Sequence, residues 1–292
     1  MIFVTDLDKT FLKSDLSISD FSKNIWNSFP FPLTVATARS YKGSTTLLKG
    51  LNLKYPLILL DGAMIAKSDG SVIKINDIDK KTGDEVINII EKEFDERPLI
   101  VGFEEIGDEK FLYPKKINKY QRELLQNYKN DSRVLNIENL RALKHNLKIV
   151  YLGEEEKLTN IQERIKEIFN LETKLSKDPY MECHFLTLLH PLGDKAHALK
   201  ELEDIMEVET KDVTVFGDSL NDIGMFEYAG KSVAVKNALE EVKKRADLIL
   251  PHTNDEDAVA RYLERVMRGK NGEKKVKMGT RGGRDGEESE RR

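Results

Sequence analysis

Ile2-Phe3-Val4-Thr5-Asp6-Leu7-Asp8-Lys9-Thr10 is a short β-rich run that breaks into an acidic loop. Its apolar character predicts a buried strand over Ile2 to Thr5. Two carboxylates two residues apart at the end of such a strand are costly unless a cation or hydrogen bonds satisfy them. A metal-bound nucleophile beside a general acid/base would use both. The competing reading is a solvated acidic turn, since Asp-x-Asp-x-Thr arises by chance in roughly one chain in twenty. Its position directly after the first strand weighs against that reading.

Outward from this loop, strands and helices alternate. A helix is expected near Ser19 to Phe29, a strand at Leu33-Thr34-Val35-Ala36 stopped by Thr37, and a helix from Ser40 to Gly50. Leu57 to Leu60 reads as a third strand ending at Asp61-Gly62. Ala63 to Ile65 and Val72 to Ile75 flank the turn signal Ser68-Asp69-Gly70 and predict a hairpin. The alternation resumes after Pro191. There the expected elements are helix 194–208, strand 213–216, helix 222–229, strand 232–235, helix 237–246, strand 248–250 and helix 255–268. Such alternation predicts a parallel sheet covered on both faces. The expected fold is therefore α/β, a Rossmann-like doubly wound core made of residues 1–77 and 191–268.

Residues 78–190 read differently and predict an inserted α+β domain. They suggest helix 82–94, strands 98–104 and 109–113, helix 117–130, strand 147–152, helix 157–170 and strand 180–190, with 131–146 ambiguous. Residues 269–292 carry almost no apolar side chain. They predict a flexible charged tail, because little burial is available to offset ordering entropy.

Three further features fall where predicted strands end or a helix begins, the edge at which open α/β sheets bind ligands. Thr37 offers a hydroxyl that can donate to a phosphoryl oxygen, and Arg39 offers a charged fork to a phosphate or to the second domain. Lys195, behind Asp194, can neutralise charge on a transferring phosphoryl group. Gly217-Asp218-Ser219-Leu220-Asn221-Asp222 follows the strand Val213 to Phe216. Asp218 and Asp222 are hard oxygen donors suited to Mg²⁺. A capped helix start would also explain the Asp218-Ser219 pair, but not its coincidence with Asp6 and Asp8.

The composition narrows the class. The 292 residues are 39% hydrophobic and 34% charged, with a net charge of -4, which is unlike a protein that lives on nucleic acid. Mean hydropathy is -0.48, and no apolar run approaches the length of a membrane span, so no membrane partner is expected. The opening residues lack a signal-peptide pattern, and the single cysteine, Cys183, excludes an internal disulfide. A cytoplasmic location is the expectation. Cys183 reads as a small buried hydrophobe. The five histidines, His145, His184, His190, His197 and His252, show no metal-ligand spacing. His184 and His190 lie on the chain returning from the inserted segment, where a substrate could pass, though a structural role is the simpler reading.

In this order, the four motifs resemble those of the haloacid dehalogenase superfamily. The large insertion between the second and third motifs resembles its Cof-type, sugar-phosphatase-like branch. Leu60-Asp61-Gly62-Ala63 is similar to that branch's Asn-Gly-Ala turn, with Asp for Asn; Ser232 to Ala238 and Asn254 to Asp257 are similar to its C-terminal segments. The resemblance covers about residues 1–268. It implies Asp6 as nucleophile and Asp8 as the acid that protonates the leaving oxygen and then activates water. It implies Mg²⁺ held by Asp6, the Asp8 backbone carbonyl and Asp218, supported by Asp222. Thr37, Asn221 and Lys195 would position the phosphoryl group, and the insertion would act as a cap over a small phosphorylated metabolite. Lys9, Ala38 and Ala196 stand where the pattern has glycine. A phosphomutase or phosphotransferase would share this site. A phospho-accepting signalling module would lack both the Asp8 partner and the insertion.

Overall fold

A computed structural model describes residues 1–178 and 181–279, with the backbone alone for 270–279. The opening run forms the strand Ile2–Thr5, buried along its whole length. It is flanked by two parallel neighbours, Val213–Gly217 on one side and Leu33–Val35 on the other. Lys231–Ala234 and Leu248–Ile249 extend the parallel sheet beyond Val213–Gly217, giving five strands. Burial from both faces explains why the inner strands Ile2–Thr5 and Val213–Gly217 are near-continuous apolar runs rather than alternating ones. The first strand and Val213–Gly217 run side by side with Thr5 opposite Phe216, so Asp6 and Asp218 emerge together at the carboxyl edge.

The third predicted strand, Leu57–Leu59, joins the edge of this sheet by a parallel bridge between Ala36 and Ile58. It turns into the expected hairpin, pairing antiparallel with Met64–Ala66, which pairs with Val72–Ile75. Helices Asp20–Ser28 and Ala258–Gly279 pack on each other, as do Lys195–Met206 and Ile223–Tyr228. Side-chain caps start several of them where expected: Ser19, Ser40 and Asp194 accept amide hydrogens of their own first turns.

Ile78 to Leu189 builds a second, mixed sheet. Its order is Glu172–Lys177, His184–Leu189, His145–Gly153, Leu99–Phe103, Glu109–Pro114 and Val134–Ile137, with Ile78–Asp79 pairing the start of His145–Gly153. The pairs are antiparallel except the last, between Glu109–Pro114 and Val134–Ile137. Ile149 and Tyr151 face the helices Lys80–Phe94 and Glu155–Ile168, while Val150 and Leu152 belong to the opposite face. Phe103, Leu147 and Leu189 join the same apolar cluster as the parallel sheet, which seats the mixed sheet on the core.

Several boundaries differ from the sequence reading for identifiable reasons. The ambiguous 131–146 segment contains the strand Val134–Ile137, which pairs on one side only. The strand Glu172–Lys177 went unread because it is a charged, half-exposed edge with little apolar signal. The strand expected over 180–190 is His184–Leu189, and residue 180 lies outside the described residues. The helix expected over 237–246 shrinks to Glu240–Lys243. Asn237 is instead committed to loop contacts, donating to the Lys9 carbonyl and accepting from the Asn254 amide. The last helix runs to Gly279, past the point where a flexible tail was expected to begin, and 280–292 lie outside the described residues. Among the described residues no helix is long and apolar enough to cross a membrane.

Candidate active site

Asp6 leaves the first strand with its amide donating to the Phe216 carbonyl at 3.0 Å, and its residue is 5% exposed. Lys195, wholly buried at the start of helix Lys195–Met206, donates to Asp6 Oδ1 at 2.7 Å and to Asp222 Oδ1 at 2.8 Å. The other Asp222 oxygen accepts from the amides of Asp218 and Ser219, at 3.0 and 3.1 Å. Gly217 makes that close approach possible, because a Cβ there would lie 2.5 Å from the Asp222 carboxyl. Asp218 is held by Thr10, whose hydroxyl donates to Asp218 Oδ1 at 3.0 Å. The final Thr of the Asp-x-Asp-x-Thr pattern thus ties the first acidic loop to the fourth motif. One oxygen each from Asp6, Asp218 and Asp222 lies within 4.8 Å of the others.

Asp8 is less buried than Asp6, with its side chain 30% exposed. Arg39 grips it with both arms of its fork, Nε to Oδ2 at 2.7 Å and Nη2 to Oδ1 at 2.5 Å. The structure therefore places Arg39 on the second carboxylate of the pair. Thr37 is fully buried, and its hydroxyl oxygen accepts the Arg39 amide at 3.2 Å, leaving its own hydrogen to be donated elsewhere. Asn221 donates its side-chain amide to Asp61 Oδ1 at 2.9 Å.

Of the three positions where glycine is usual, only Lys9 carries backbone strain. It has φ 55°, a left-handed conformation that disfavours a Cβ by roughly 1–2 kcal/mol. Asn237 compensates by holding the Lys9 carbonyl at 2.7 Å. Ala38 is absent from the described non-glycine residues with positive φ, and Ala196 continues a regular helix.

Asp61 and Lys148 are the site residues whose roles the sequence reading missed. Asp61 has φ 62°, a region that Asp and Asn tolerate better than most residues, and is 5% exposed. Gly62 beside it abuts the Asp194 carbonyl, where a Cβ would lie at 2.1 Å. Lys148, from the mixed-sheet strand His145–Gly153, forms an ion pair with Asp61 Oδ2 and donates to the Ala38 carbonyl at 3.0 Å. Its signal was a lone cation inside the apolar run Leu147 to Leu152.

A family model described as haloacid dehalogenase-like hydrolase matches residues 3–263. The chain belongs to the haloacid dehalogenase-like hydrolases. Phosphatase YwpJ of Bacillus subtilis is 26% identical over 294 residues, spanning 91% of this chain and 99% of that one. The Bacillus subtilis 5-amino-6-(5-phospho-D-ribitylamino)uracil phosphatase YwtE is 37% identical over 86 residues, which span 30% of either chain. A solved haloacid dehalogenase-like hydrolase from B. subtilis superposes with a TM-score of 0.73 at 25% identity, over 90% of this chain and 99% of that one. The branch is the Cof-type one expected from the motifs, with its large mixed-sheet insertion.

Electrostatics separate the acids of this hydrolase. Burial pushes the Asp6 carboxyl well above the ordinary range; Lys195 pulls it down, and Asp222, Asp218 and Asp8 push it further up. Burial, then Asp222, push Asp218 up to about 7 against the pull of Thr10 and Lys195. Burial would lower Lys195, but Asp222, Asp6 and Asp61 outweigh it and keep the ammonium charged. Burial would likewise raise Asp61, but Lys148, Lys174 and Lys195 hold it well below the usual carboxylate range.

The remaining candidates take structural roles. Cys183 is buried, and burial pushes its thiol up to about 11, a poor start for a nucleophile at neutral pH. His184 pairs with Glu155 at 3.5 Å, and His190 accepts the Leu192 amide at 3.1 Å. His145 pairs with Asp77 at 2.8 Å, and His197 with Asp194 at 2.5 Å.

Proposed function

We propose that this hydrolase is a phosphatase that cleaves a small phosphomonoester through a phospho-aspartyl intermediate on Asp6, with Mg²⁺ as cofactor. The observation that carries the reading is the buried Asp6 carboxylate, bonded by Lys195 and within 4.8 Å of Asp218 and Asp222 oxygens. These oxygens suit a hard divalent cation: burial first, and then the neighbouring carboxylates, push the Asp6 and Asp218 carboxyls up, and a cation would offset both. Asp6 and Asp218, with the Asp8 backbone carbonyl, would hold Mg²⁺, while Asp222 braces them. When bound, Mg²⁺ would supply the positive charge that keeps Asp6 ionised and lowers its repulsion for a phosphoryl dianion.

An Asp6 carboxylate oxygen attacks phosphorus, and the ester P–O bond breaks. Asp8 gives its proton to the leaving oxygen. Asp8 then takes a proton from water, whose oxygen attacks the acyl-phosphate, breaks the bond to Asp6 and releases phosphate. Lys195 neutralises the phosphoryl oxygens, while the Thr37 hydroxyl and the Asn221 amide orient them. The core is residues 1–77 and 191–268, and 78–190 form a cap that excludes water and selects the leaving group. A sugar phosphate or related metabolite is the substrate class that fits, and the relative named for a phosphorylated ribitylamino compound supports it. The single cysteine suits a cytoplasmic location.

The test is phosphate release across a panel of phosphomonoesters, with and without Mg²⁺. Release that ignores chelation, or none from any ester, rejects the reading. Asp8→Asn is expected to slow alkyl phosphate turnover by about 10²–10⁴-fold. The first step should suffer much less with p-nitrophenyl phosphate, whose phenolate leaves without a proton, so phosphoenzyme should accumulate in rapid-quench samples. An equal loss of the first step on both substrates would remove Asp8 from the acid role.

The raised Asp218 carboxyl gives a pH signature for the metal-free protein. Its folded value of about 7 exceeds the ordinary 3.8, so the proton binds more tightly in the folded state. The resulting stabilisation is complete below about pH 4 and is lost as pH rises through about 7. The melting temperature of the chelated wild type should therefore fall across this window relative to Asp218→Asn. Added Mg²⁺ should raise it most at the alkaline end. Calorimetry that finds the opposite slope would contradict the assignment.

A further inference from the structure

Asp61 links the segments of the site that carry Thr37, Lys195 and Asn221. Its amide donates to the Thr37 carbonyl at 3.0 Å, its Oδ1 accepts the Asn221 amide at 2.9 Å, and the neighbouring Gly62 rests on the Asp194 carbonyl ahead of Lys195. It also brings another buried carboxylate to a site that already holds Asp6, Asp218 and Asp222. A site for a dianion gains nothing from that charge, and a buried carboxylate without a partner is strongly unfavourable.

The inserted unit supplies the partner. Lys148 is 8% exposed and lies on the same sheet face as Val150 and Leu152, two strand positions from Val150. Its ammonium bonds Asp61 Oδ2 and also the Ala38 carbonyl in the loop between Thr37 and Arg39. We propose that Lys148 is a positioning residue for the phosphate site: it cancels the Asp61 charge that would repel an incoming dianion, and it fixes Asp61 and thereby the Asn221 amide. The assignment rests on the phosphatase reading above. It makes affinity for the phosphoryl group depend on the inserted unit being seated on the core.

The test is a double-mutant cycle of Lys148→Met, Asp61→Asn and both together, read by steady-state phosphate release and by thermal melting. Asn tolerates the left-handed backbone at position 61 and still offers Asn221 an acceptor. Lys148→Met should raise KM by about tenfold, because one uncompensated charge near the dianion suffices for that. Its kcat should change much less. Asp61→Asn alone should leave KM at or below the wild-type value, since a cation is then unopposed, and the double variant should recover most of the KM lost in Lys148→Met. A purely structural bolt would instead depress all variants alike and show no such sign reversal. An unchanged KM in Lys148→Met, or a double variant as poor as Lys148→Met, overturns the inference. If the wild type releases phosphate from no ester, the phosphatase reading fails on its own, and melting decides the pair. Lys148→Met should then lower the melting temperature and Asp61→Asn should restore it; no recovery overturns the pairing.

Discussion

Asp6→Asn should abolish phosphate release, lowering turnover by about 10⁴–10⁶-fold, the scale seen when a covalent nucleophile is removed. The amide matches the carboxylate in shape but cannot form the acyl-phosphate. The fold should survive. The Asp6 backbone amide keeps its bond to Phe216, and Lys195 keeps Asp222. Moreover, burial and the neighbouring carboxylates already strain the Asp6 charge. Removing it relieves repulsion, so the melting temperature of the metal-free variant should not collapse. Measuring phosphate release beside melting separates the two effects. Retained activity in a folded Asp6→Asn protein would mean direct attack by water, and the phospho-aspartyl route would be wrong.

Lys195→Met should have the second largest effect, on both activity and stability. Lys195 is wholly buried and its ammonium bonds two carboxylates, Asp6 and Asp222. Removing one partner of a buried ion pair leaves an uncompensated charge, which typically costs about 3–5 kcal/mol. Here two carboxylates lose their partner, so the metal-free variant should melt far below the wild type. Mg²⁺ should recover part of the difference, because a bound cation would neutralise the same carboxylates. Turnover should drop by about 10²–10³-fold even where Mg²⁺ keeps the protein folded, the scale for losing one electrostatic stabiliser of a transition state. Lys195→Arg should not rescue it, since the position is wholly buried and a guanidinium is larger than an ammonium and differs in hydrogen-bond geometry. A variant that melts like the wild type in chelator would show that Lys195 is not the counter-charge its bonds indicate.

Much of the core was legible because its signals are local. A strand buried on both faces writes itself as an apolar run, and Ile2–Thr5 and Val213–Gly217 did so. Each was followed by the acids that the parallel register then brought together. The helix starts at Ser19, Ser40 and Asp194 were equally readable, because the side-chain caps found there act within one helical turn. Element ends were less legible where side chains serve distant contacts. The short helix Glu240–Lys243 begins late, because Asn237 ahead of it is taken by the loop of Lys9. The edge strand Glu172–Lys177 had no apolar stripe because one of its edges is unpaired and its faces are half exposed.

The acidic pair at Asp6 and Asp8, the spacing of Asp218 and Asp222, and the choice of Lys195 came from sequence by itself, because strand ends, charge and oxygen chemistry are properties of short segments. Which of these groups meet was decided by tertiary structure. Arg39 could have reached a phosphate or the second domain, yet it grips Asp8. Thr10 could have been only a loop residue, yet it holds Asp218 from 208 positions away. Asp61 and Lys148, 87 positions apart, became one ion pair only when the mixed sheet seated on the core. No local pattern encodes such a contact. A buried charge is tolerated only with a partner, and folding alone determines which partner is within reach.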